Sequence, residues 1–172
     1  MTGRGGAALG LVVALACSPA PASRRAGAPA PAGTAAQPAD TTVVALERTP
    51  CFGACPVYSL TISAGGVVRF VGTRHTAHLG DASARIPPAQ VESLLAELRE
   101  GGYFGFADAY VLDAPACGLY STDSPTVITA VSDAGERKEI RHDYGCAGAP
   151  GALARLEQRI DEVAGSARWT GR

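Results

Sequence analysis

Apolar and polar positions fall into regular patterns only from about Thr41 onward, and there they predict a small set of strands and helices. Val43-Val44-Ala45-Leu46-Glu47 is a short apolar run of the kind a buried strand carries. Tyr58, Leu60 and Ile62 alternate with Ser59, Thr61 and Ser63, so a strand there would turn one side to the core and the other to water. Ala64-Gly65-Gly66 supplies a turn, and Val67-Val68-Arg69-Phe70-Val71 returns as the partner strand of a hairpin. Residues 75–86 predict a further, poorer strand.

Pro87-Pro88 opens a helix, because a proline in the first turn gives up an N–H that has no partner there. Val91, Leu94, Leu95 and Leu98 share one helical face, and Gly101-Gly102 ends the helix. Tyr103, Phe104 and Phe106 are expected to pack beneath its end. After an irregular stretch from Asp108 to Ser124, Thr126–Ser132 predicts a strand and Asp133-Ala134-Gly135 its turn. Glu136–His142 returns as a more polar, edge-type strand. Beyond Pro150, Leu153, Leu156, Ile160 and Val163 mark a second amphipathic helix. The order β-β-β-(β)-α-β-β-α, with tight turns between strands, predicts the α+β class. The expected fold is an antiparallel sheet of hairpins with two helices packed on one face.

The first 40 residues lack this periodicity and carry different information. Ala7 to Ala16 is an uncharged apolar stretch behind Arg4. It is too short to span a bilayer, which takes roughly 20 residues, and it fits the h-region of a secretory signal. Ala14-Leu15-Ala16-Cys17 resembles a bacterial lipobox, with Ala14 where a larger aliphatic residue is usual. The resemblance implies acylation of Cys17 and membrane anchoring through its acyl groups. Ser18 in place of Asp favours the outer membrane, facing the periplasm. Residues 18–40 are nearly all Pro, Ala, Gly, Ser and Thr, a composition that cannot bury enough surface to offset its ordering entropy. The predicted organisation is a signal peptide over 1–16, an acylated cysteine and tether over 17–40, one globular domain over 41–166, and a C-terminal tail over 167–172.

Charge excludes one class of partner. Lysine and arginine total 15 against 16 aspartate and glutamate, for a net charge of -1, and no basic face suggests nucleic acid.

Of the five cysteines, four lie in the body of the chain: Cys51, Cys55, Cys117 and Cys146. An even number in an exported protein points to disulfides. Three pairings exist, and Cys51–Cys55 with Cys117–Cys146 is favoured, since Gly53 lets the short loop turn sharply. On loop-closure entropy the longer ring contributes about 3.5 kcal/mol and the shorter about 2 kcal/mol.

The alternative is metal or redox chemistry at Cys51 and Cys55. Cys-x-x-x-Cys-Pro resembles the copper(I) motif of SCO-type chaperones, and His75 with His78, or His142, could complete such a site. That motif follows a strand of a parallel sheet, whereas here it precedes a hairpin. Zinc lacks a second Cys-x-x-Cys pair, and thiol oxidoreductases use a shorter spacing. Asp108, Asp113 and Asp123 follow no calcium-loop spacing, and Asp123-Ser124-Pro125 reads as a turn. His142-Asp143 suggests a histidine–carboxylate pair without an accompanying nucleophile motif. No phosphate loop or dinucleotide fingerprint occurs. The expectation is a protein without catalytic residues or cofactor.

Arg48-Thr-Pro-Cys51-Phe-Gly-Ala-Cys55-Pro56-Val-Tyr58, the glycine-turn hairpin, the Val91–Gly102 helix with Tyr103-Phe104, Tyr110, Asp123-Ser-Pro125 and Gly145-Cys146 before the last helix form a set. This set resembles the bacterial domain of unknown function 6438, over roughly Thr41 to Ala164. The family carries no assigned activity, so the resemblance implies a domain boundary and no catalytic residue. The functional expectation is a cell-envelope module that binds a protein, peptide or wall component through its loops. Phe52, Gly53, Pro56, Tyr58, Tyr110 and Asp123 are the candidate contacts.

Overall fold

The structure, a computed structural model, describes residues 41–171. The expected signal peptide, the lipid attachment at Cys17 and the tether to residue 40 lie outside the described residues. Strands β1 (Thr42–Arg48), β2 (Val57–Ser63), β3 (Val67–Arg74) and β4 (Gly80–Arg85) precede helix α1 (Pro88–Glu100). A 3-10 turn (Tyr103–Gly105), β5 (Ala109–Tyr110), β6 (Thr126–Asp133) and β7 (Glu136–Asp143) lead to α2 (Gly151–Ala164) and α3 (Ala167–Thr170). The seven strands form one open sheet in the order β4-β3-β2-β1-β6-β7-β5. All pairs are antiparallel except β5 with β7. The fold is α+β, as the hydrophobic pattern predicts.

One face of the sheet is the core face. Val44, Leu46, Leu60, Ile62, Phe70 and Ile140 are buried together with Val91, Leu94 and Leu98 of α1 and Leu153 and Ile160 of α2. Each such side chain contributes about 1.5–3 kcal/mol of burial. The opposite face exposes Glu47, Arg69, Glu139 and Arg141. Arg159 of α2 ties the helices together through Glu97 of α1 at 2.7 Å. Gly66 in the β2–β3 turn has φ of 81°, and a Cβ there would collide with the Ile86 carbonyl, which explains the glycine.

Two features differ from the sequence reading. The 136–143 strand is an edge along its first part, as expected, but β5 covers Arg141 and His142 in parallel. Two residues are too short to show any period, so β5 was invisible to pattern. The segment 167–172, read as a tail, carries α3, whose Trp169 stacks on Phe70 with ring centroids 4.9 Å apart. Tyr103, Phe104 and Phe106 do pack against the core, and Tyr103 Oη meets Thr129 Oγ1 at 2.8 Å.

Candidate functional site

Strand register places four polar side chains, those of Tyr58, Arg48, His142 and Tyr110, in one row across the core face at one end of the sheet. Gly72, Tyr58, Arg48, Val127, His142 and Tyr110 are successive cross-strand neighbours from β3 to β5. Helix α2 lies over this row with Glu157 and Asp161, four residues apart and so on one helical face.

These side chains form a continuous hydrogen-bonded network. Arg48 donates to Asp161 from Nη2 at 2.7 Å and from Nε at 2.8 Å. Tyr58 and Ser166 donate to the other Asp161 oxygen at 2.7 and 2.8 Å. Arg48 Nη1 donates to Tyr144 Oη at 3.3 Å, and Tyr144 donates to Glu157 Oε2 at 2.9 Å. Glu157, only 1% exposed, also accepts from His142 Nδ1 at 2.9 Å. Burial alone would lower the Arg48 pKa, but Asp161 and then Tyr144 outweigh it and drive it up. Burial and the Asp161 carboxylate push the Tyr58 phenol well above its usual range. Burial and then Glu157 likewise raise Tyr144.

Two cavities flank the network. One, of about 350 Å³, is lined by Arg48, Pro56, Tyr58, Asp161, Ser166 and Thr170, among others. The other, of about 220 Å³, is bounded by His142, Tyr144 and the start of α2.

Both disulfides close loops at this end. Cys51 is bonded to Cys55 and Cys117 to Cys146, with Cα atoms 5.8 and 4.7 Å apart, the pairing favoured from the sequence. The two loop systems meet where the Phe52 N–H donates to the Asp123 carbonyl at 3.1 Å, and within the second the Ala147 N–H donates to the Leu119 carbonyl at 2.8 Å. A Cβ at Gly145 would collide with the Ser121 carbonyl, so that glycine permits the close pairing beside Cys146. Phe52 and Leu119 project into solvent, 87% and 84% exposed.

The family is decided by where a family-level match begins and ends. It runs over residues 42–164, from the first residue of β1 to the last of α2. The chain belongs to the family described as Domain of unknown function (DUF6438). No curated protein matches the chain. All the network residues except Ser166 fall inside the DUF6438 span, whereas Trp169 lies beyond it.

Within the DUF6438 domain the sequence-predicted residues divide. Phe52, Gly53 and Asp123 sit on the disulfide-bearing end, with Gly53 at φ 143° and Asp123 at φ 74°. Pro56 and Tyr58 line the larger cavity. Tyr110 is buried instead, accepting from the Ala107 N–H at 3.0 Å, and its ring and that of His142 make a T-shaped pair with centroids 6.1 Å apart. His142 pairs with Glu157, not with its neighbour Asp143, which accepts from Tyr120 and Gly145. The Sγ atoms of Cys51 and Cys55 are bonded to each other, so neither presents a thiolate in this state. Among the described residues no group of three or more His, Cys, Asp or Glu side chains has metal-holding geometry. Asp108 pairs with Lys138 at 2.6 Å, remote in role from Asp123, whose carboxylate accepts from Thr122.

Sequence reasoning missed Glu157 and Asp161. Glu157 falls between Leu153 and Ile160 on the buried face of α2, and that placement was the available signal: a carboxylate inside an apolar stripe needs buried donors. Asp161 gave no such sign until strand register set Arg48 and Tyr58 beside it.

Proposed function

We propose that this protein is an exported, lipid-anchored and non-catalytic module of the cell envelope, held to the outer membrane through acylated Cys17 and facing the periplasm. It binds an envelope protein, peptide or wall component at the disulfide-bearing end of its sheet. The observation that carries this reading is the presentation of Phe52 and Leu119. Two large apolar side chains stand almost fully in solvent on loops that disulfides and backbone pairing hold rigid. Rigid exposed anchors lose little entropy on association, which is how binding loops gain affinity. Two disulfides also suit an oxidising compartment, and the lipobox-like Ala14–Cys17 supplies a route there.

The test joins location to binding. Metabolic labelling with a radioactive fatty acid should mark the native protein and not a Cys17→Ala variant. Thiol titration of the mature domain should find no free sulfhydryl. Cross-linking in intact cells should capture an envelope partner, and Phe52→Ala with Leu119→Ala should reduce that capture. A cytosolic product without lipid, or two reactive thiols with stoichiometric copper at Cys51 and Cys55, would overturn the reading.

A further inference from the structure

Strand β4 ends the sheet with one side unpaired. Among the described residues its one strand neighbour is β3. The Ile86 N–H donates to the Gly66 carbonyl at 2.9 Å, just beyond the Val67–Arg85 pair, and this fixes the phase of the ladder. Antiparallel pairs alternate between hydrogen-bonded and non-hydrogen-bonded, so Ala84 and Ala82 bond to Val68 and Phe70 of β3. The N–H and C=O groups of Asp81, Ser83 and Arg85 therefore point out of the sheet. The side chains of these three are exposed and share the face that carries no helix. A groove of about 260 Å³ runs beside Asp81, Ala82 and Ser83.

Natural proteins guard an open edge with lysine, proline or a bulge. Strand β4 has no lysine, no proline and no shift of register against β3. It reads Asp81-Ala82-Ser83-Ala84-Arg85, symmetric about Ser83 in size and opposite in charge at its two ends. Neither Asp81 nor Arg85 has an ion-pair partner among the described residues. Antiparallel pairing of this strand with a second copy, centred on Ser83, answers both features. Asp81 falls opposite the partner's Arg85, Ala82 opposite the partner's Ala84, and Ser83 opposite the partner's Ser83. The pairs that include Asp81, Ser83 and Arg85 are those with free backbone groups, so each exchanges two N–H···O bonds. The Asp81 carbonyl also lies 3.0 Å from His78 Nε2, and its second lone pair remains for the partner's Arg85. Centring on Asp81 or on Arg85 sets like charges opposite each other. Centring on Ala82 or Ala84 carries one charged residue past the end of the partner strand. Charge thus selects the Ser83 register.

We propose that the protein forms a two-fold symmetric dimer through β4, its two sheets joined edge to edge into one continuous sheet with the helices of both copies on the same side. The contact is one strand wide, at the weak end of specific interfaces. Its dissociation constant is on the order of 10–100 µM. The inference rests neither on the loops that carry Phe52 and Leu119 nor on anything those loops bind.

Sedimentation equilibrium of the intact protein in density-matched detergent should show monomer passing to dimer over that range of concentration. Asp81→Arg alone, or Arg85→Asp alone, sets like charges opposite each other in both outer pairs and should weaken self-association by at least about tenfold. An equimolar mixture of the two variants should restore it, because every outer pair is then again arginine opposite aspartate. A general loss of fold or solubility would give no such rescue. Ser83→Pro removes an N–H that points away from β3, so circular dichroism and thermal melting should hold while the dimer disappears. A native chain that stays monomeric throughout, single charge variants that dimerise as tightly as the native chain, a mixture without rescue, or a dimer that survives Ser83→Pro would each overturn the proposal. So would cross-linking from Ser83→Cys in intact cells that captures a different protein and never a second copy. Phe52→Ala with Leu119→Ala should leave the dimer unchanged, and its loss in that variant would move the interface to the loops.

Discussion

Arg48, the last residue of β1, reaches across 113 positions of sequence to Asp161 of α2, with Nη2 and Oδ2 2.7 Å apart. The contact pins the helix to the sheet at the end where both cavities lie. Asp161 also receives Tyr58 and Ser166, so its removal strands three donors at once. Both partners keep slight exposure, 18% and 15%, which places the loss at the lower end for buried pairs. Asp161→Ala should cost about 3 kcal/mol, read from urea denaturation midpoints. The double variant Arg48→Met with Asp161→Leu should be more stable than either single variant, because no uncompensated charge is left inside.

Three tyrosines make the fold sensitive to alkali. Burial is the first cause that raises the phenols of Tyr58, Tyr103 and Tyr144 above the usual value of 10.0. Below that pH each is neutral in both the folded and the unfolded chain, and their stabilisation is fully present. Above it the unfolded chain releases protons that the folded chain retains, so unfolding gains and stability falls as pH climbs toward the folded values. Denaturant midpoints should therefore be flat from these groups up to about pH 10 and drop beyond it. Absorbance at 295 nm should show phenolate from these tyrosines appearing together with unfolding, not before it.

The two disulfides should differ in weight. Cys117–Cys146 closes a loop with a sequence separation of 29, and Cys51–Cys55 one of 4. Replacing the first pair by alanines should cost about 3.5 kcal/mol on loop-closure entropy, and the second about 2 kcal/mol. The Cys117–Cys146 cysteines are also buried, so the larger loss should be clear in thermal melts. A larger loss from the small ring would mean that it organises more than its own loop.

What could be read from the chain follows the range of each signal. Alternation at Tyr58, Leu60 and Ile62 and the helical stripe at Val91–Leu98 are local, and the structure reproduces both elements. The disulfide pairing was legible because four cysteines allow few solutions. The row of Tyr58, Arg48 and His142 was not, since it depends on the register between strands that are distant in sequence. Glu157 shows the limit most plainly. On the helical stripe it occupies a core position, yet which donors meet it is set by β7 and the Tyr144 turn.

Trp169 provides the last test, because it lies outside the DUF6438 match and yet inside the core. Its ring stacks on Phe70 at 4.9 Å, Phe70 lies 5.2 Å from Tyr58, and the Trp169 carbonyl accepts from the His78 N–H at 2.9 Å. The short α3 helix therefore closes the core over β3 and borders the larger cavity through Ala167 and Thr170. A chain ending at Gly165 should still fold, since it keeps β1 through α2, but it should be less stable by about 3 kcal/mol. Trp169→Ala should show a loss of the same order, and the more so because large aromatic truncations leave a cavity that the sheet cannot close. Trp169 is the single tryptophan, so its fluorescence in the intact chain reports the packing directly. It should shift to longer wavelength in the same cooperative transition that circular dichroism follows. An earlier, separate shift would show that α3 detaches before the domain unfolds.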